Sequence, residues 1–146
     1  MPVDVERMLR RVVHDVIDED VDSVWDTQPR APHMHRVALT AKRGADRRTV
    51  RLLAATTGVF TLTVVDLGVS TGFVEYDDED YMEALLRRLA LVGDAYLRGG
   101  GSVEHRRGLF RPRPFLTVSV GGNDWVMGRR SSRPHYPDGD STGCRD

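Results

Sequence analysis

The sequence predicts an α+β fold in two layers: one antiparallel sheet of five to seven strands, with two helices packed on one of its faces. Three observations predict it. Apolar residues recur at spacings of three and four in two separate segments, the signature of amphipathic helices. Between and after those segments they recur at period two, in short β-branched runs bounded by turn residues. No helical crossover lies between consecutive runs, so neighbouring strands must pair antiparallel. The predicted order is α-β-β-β-β-α-β-β.

The first helix is read from Met8, Leu9, Val12, Val13, Val16 and Ile17, a stripe that Val21, Val24 and Trp25 continue. It is expected over about residues 3–20, with an extension toward Val24, until the prolines of "TQPRAP" stop it. Four strand runs follow: "HRVALTAK", "RTVRLLAA", "VFTLTVVD" and "VSTGFVEY", separated by "RGADR", "TTG" and "DLG". Val37 and Leu39 alternate with Arg36, Ala38 and Thr40, and Phe60, Leu62 and Val64 alternate with Val59, Thr61 and Thr63. One face of the sheet is thus more polar than the other.

The second helix carries Tyr81, Met82, Leu85, Leu86, Leu89, Val92, Tyr96 and Leu97 on one stripe. Its start is the acidic run "YDDEDY". Asp77 or Asp78 is a natural N-cap, and Glu79, Asp80 and Glu83 fall in the first turns, where the helix dipole favours negative charge by about 0.3–1 kcal/mol each. It ends in "RGGG", with Gly99 suited to a left-handed cap. The strands "GSVEHRRGLF", "PFLTVSV" and "DWVMG" follow, the last two joined by the turn "GGND". Residues 1–128 form one predicted domain. Residues 129–146 have little to bury and are expected as a flexible polar tail.

At 146 residues with 40% hydrophobic and 29% charged content, the chain can fold as a single soluble domain. It has no apolar run of membrane length and no signal-peptide pattern at the start. The single cysteine, Cys144, can form no internal disulfide, so a cytoplasmic location is expected. Net charge is −1, but the charge is sorted by element. Residues 1–28 and 73–98 carry net −5 and −4; residues 29–72 and 99–146 carry +5 and +3. Acidic helices over basic strands leave Arg36, Arg47, Arg51 and Arg106 as candidates to meet an acidic partner on an uncovered sheet face.

No catalytic, metal or cofactor constellation emerges. His33 and His35 have metal-pair spacing, but no further ligand motif accompanies them. There is no nucleophile elbow, and "RGGGS" follows a helix rather than opening one, unlike a phosphate loop. The basic aromatic stretch "EHRRGLFRPRPF", Arg106 to Arg113 at its centre, suits a nucleic acid, yet the acidic helices oppose that approach.

The block from Phe73 to Arg130 combines a strand leading into an acid-capped helix that ends in "AYLRG", then "RRGLF", then a hairpin bearing Trp125. It resembles small immunity-type proteins of actinobacterial polymorphic toxin loci. The helix–sheet–helix–sheet order is also similar to type III secretion chaperone-like domains. Both resemblances imply a non-catalytic protein that works by binding another protein, the first by occluding a toxin. The expected contact residues are Asp78, Glu79, Asp80, Tyr81, Arg106, Arg107, Arg111 and Trp125. The alternatives are a regulatory homodimer and a nucleic-acid binder that uses Arg106–Arg113.

Overall fold

The computed structural model describes residues 4–26, 34–42, 47–75, 78–107 and 113–128. Helix α1, Val5–Val16, begins where the Asp4 carboxylate accepts the Arg7 N–H at 3.0 Å. Five strands follow: β1 Val21–Trp25, β2 Met34–Ala41, β3 Thr49–Ala55, β4 Val59–Val64 and β5 Val69–Val74. Helix α2 spans Glu79–Leu97, and β6 Ser102–Arg106, β7 Arg113–Val120 and β8 Asn123–Met127 complete the described elements. The expected α+β class is observed, and every strand pairing is antiparallel.

Among the described residues the strands are eight, and they form two sheets rather than one. Strands β1 to β5 make a meander in chain order, and β6, β7 and β8 make a second sheet. A single bridge joins them, where the Ser70 N–H of β5 donates to the Gly128 carbonyl at 3.0 Å.

The extra strand comes from the far end of the first predicted helix. Val21 and Trp25 continue the helical stripe at a spacing of four, but four is also an even number. Both residues therefore also share one face of a strand. The helix stops at Ile17, the Asp18 carboxylate takes the Glu19 N–H, and a turn closes from Val21 N–H to the Asp18 carbonyl. Strand β1 then pairs with β2, Val21 opposite Ala41 and Trp25 opposite Val37. Val24 falls on the other face and is 68% exposed.

One hydrophobic core unites the layers. The helices supply Met8, Leu9, Val12, Leu85, Leu86 and Leu89, and the sheets supply alternate residues such as Leu39, Leu52 and Leu62. Phe60 and Phe73 stack across β4 and β5 with centroids 4.7 Å apart. Gly93 lets α2 sit close on the sheet, since a Cβ there would lie 3.2 Å from Leu62 Cδ1. Gly99, at φ 98°, ends α2 in the expected left-handed cap, and the next amide, Gly100 N–H, donates to the Ala95 carbonyl. Among the described residues no helix is long and apolar enough to cross a membrane. The tail expected over 129–146, with Cys144, lies outside the described residues, as does His33.

Candidate functional site

The acidic start of α2 is first of all a helix start. Asp78 is the N-cap, its carboxylate accepting the Tyr81 N–H at 3.1 Å. Glu79 and Asp80 stand exposed in the first turn. Tyr81 is half-buried and packs against the core. Trp125 corrects the expectation of a surface anchor: it is 4% exposed and belongs to the core beside Met127. Opposite Val118 on β7, its ring faces inward because β8 alternates exposed and buried residues.

Arg106 and Arg107 are exposed. The Arg106 guanidinium donates to Glu104 at 2.7 Å and stacks 4.2 Å from the Phe115 ring centroid. Arg111 lies outside the described residues. Within the described residues no hydrogen bond or ion pair connects Asp78–Asp80 to Arg106 or Arg107.

The acids of the helices are largely held by arginines of the helices themselves. Arg11 of α1 pairs with Glu83 of α2, and Arg87 bridges Glu83 at 2.9 Å and Asp15 at 2.8 Å. The Arg11 hydrogen bond, assisted by Arg87, holds the Glu83 carboxyl below its ordinary range, and Arg87 does the same for Asp15. Arg98 reaches both Asp94 and Asp18. These helix acids are thus paired mainly with arginines of the helices and their ends rather than with the basic strands.

Two features remain whose chemistry the core does not use. The first is the outer face of β1–β5, which no described element covers. Arg36 stands opposite Leu53, and Arg51 opposite Ala38, which makes the two arginines diagonal neighbours on adjacent strands, about 7–8 Å apart in typical geometry. Around them Val24, Val59 and Val74 are exposed, Val59 and Val74 forming a cross-strand pair. Acids of this face sit on the edge strand or just past it: Asp22 pairs with Lys42, and Asp26 follows Trp25 at the end of β1. The Arg36 Nε is buried and has no acceptor. A buried donor without an acceptor costs about 1–3 kcal/mol.

The second feature, which the sequence did not reveal, is a cleft of about 490 Å3 where the two sheets meet the end of α2. Arg48 extends across it, donating to the Tyr96 carbonyl at 3.0 Å and the Gly100 carbonyl at 2.9 Å. Its guanidinium lies 4.5 Å from the Tyr96 ring centroid. The Tyr96 hydroxyl donates to Asp66 Oδ2 at 3.0 Å, and the Thr49 N–H donates to the same oxygen. Residues 30 and 48 positions apart converge here, so no linear spacing announces the cluster. Among the described residues no group of three His, Cys, Asp or Glu side chains is arranged to hold a metal ion.

No known protein family, curated protein or solved structure matches this chain.

Proposed function

We propose that the chain is a non-catalytic protein-binding module that presents the outer face of β1–β5 to a partner protein bearing acidic side chains. The observation that supports this reading is the sheet face that no described element covers. It joins exposed valines to the diagonal Arg36–Arg51 pair, while the opposite face is filled by two helices. Apolar surface would supply the burial, and arginine would select carboxylates, for which its planar fork is suited. The resemblance of the second half to immunity-type proteins makes a toxin, neutralised by occlusion, the partner of choice.

The test is capture from lysate of the source cells, with nuclease, read by mass spectrometry. The tagged parent is compared with an Arg36→Ser/Arg51→Ser variant and an Arg106→Ser/Arg107→Ser variant. One stoichiometric protein that the first variant loses and the second keeps supports the reading. Loss only with Arg106 and Arg107, or recovery of nucleic acid alone, overturns it.

A further inference from the structure

The outer sheet face is not the only place where positive charge stands without a counter-charge. We infer that the cleft between the two sheets is a binding site for a small carboxylate with an apolar body. This inference is independent of the protein-binding reading.

The argument begins with the fixed guanidinium. Arg48 is held by two backbone carbonyls and by the Tyr96 ring, so its orientation is set before any ligand arrives. Preorganised donors bind anions without a further ordering cost. Only its Nη1 makes these bonds, which leaves the rest of the fork available. Arg47, next in the chain, is exposed and also lines the cleft. Neither arginine has an ion-pair partner among the described residues.

One described acid shares the cleft. Asp66 lines the same cleft, but its Oδ2 already accepts from Thr49 and from the Tyr96 hydroxyl. Among the described residues that line the cleft, two arginines stand against one carboxylate. The carbonyl end of α2 would repel an anion, yet Arg48 covers one of its carbonyls, that of Tyr96, and the Gly100 carbonyl just beyond it. The remaining wall includes Leu67 and Val103, which favour an apolar body over a bare inorganic ion. The volume lies within the usual range for small-molecule sites, roughly 300–1,000 Å3.

The probe is benzoate, titrated into the full-length protein and followed by amide chemical shifts, with inorganic phosphate in a parallel arm. Saturable shifts of the Arg48, Gly100 and Gly101 amides are expected, with Kd on the order of 1 mM for so small a ligand. Arg47→Gln should weaken benzoate at least fivefold and leave the far-UV spectrum unchanged. Arg48→Lys keeps a cation but loses the fork, and should weaken it further. The inference is overturned if those amides do not shift, if Arg47→Gln binds as the parent does, or if phosphate binds as tightly as benzoate.

Discussion

Glu83 is the joint on which the two helices are pinned electrostatically, and replacing it with Gln tests that role quantitatively. The Glu83 side chain is 21% exposed and accepts from Arg11 and from Arg87, whose own side chains are 48% and 34% exposed. Exposed pairs contribute about 0.2–1 kcal/mol each, and partial burial places Glu83 toward the upper part of that range. Gln keeps the shape and one acceptor but loses the charge. The expected cost is about 1 kcal/mol at pH 7, or a fall in Tm of about 3–5 °C for a domain of this size. The sign with pH follows from the depressed folded-state pKa of Glu83, whose ordinary value is 4.5. Its contribution is fully present above that value and is lost as pH falls through the folded-state pKa. Urea titrations of parent and Glu83→Gln should therefore differ at pH 7 and converge as the pH falls below the depressed folded-state pKa. High salt at pH 7 should narrow the gap. A gap that is absent at pH 7, or that widens on acidification, would refute the assignment.

Three further outcomes are expected. Asp78→Ala removes the cap of α2 and should cost about 1 kcal/mol in thermal unfolding, whereas Asp78→Ser, itself a good N-cap, should lie within a few tenths of the parent. Trp125→Ala should destabilise by about 3–5 kcal/mol, because it empties a core position rather than removing a contact residue; a near-parent Tm would contradict its burial. Gly72→Ala places a methyl group 2.3 Å from the Phe60 carbonyl oxygen, a backbone atom that cannot swing aside. Calorimetry should show a loss of about 1–3 kcal/mol or more.

Strands β2 to β5 were legible because each alternates cleanly and each boundary carries its turn residues. The second helix was legible down to its caps, since Asp78 and Gly99 act locally through their own backbone neighbours. Strand β1 was not, because Val21 and Trp25 satisfy helix and strand spacing at once and only pairing with β2 decides between them. The split into two sheets was also hidden, as period two says which face a residue occupies but not which edge meets which. Trp125 and Met127 alternate with Asp124 and Val126, so the burial of the tryptophan was written in the pattern. The Arg48–Tyr96–Asp66 cluster left no such mark. Each member looks ordinary in its own segment, a basic residue before a strand, a helix-end tyrosine and a turn aspartate, and the site exists only once three elements converge.

Charge in the sequence offers two candidates, the acidic start of α2 and the arginines of a sheet face, and the ion pairs of the helices bear on the choice between them. Glu83 and Asp15 are committed to Arg11 and Arg87, and Asp94 and Asp18 to Arg98, so displacing them would break pairs the helices already hold. Glu79 and Asp80 keep their charge at the surface, but the helix dipole already accounts for their presence. Arg36 and Arg51 have no comparable local explanation. A strand gains nothing from arginine at adjacent diagonal positions, and like charges so placed repel. On the proposed reading, a carboxylate of the partner relieves that repulsion. The arginines of the outer face, rather than the acids with which α2 begins, are therefore the first residues to change when a partner is sought.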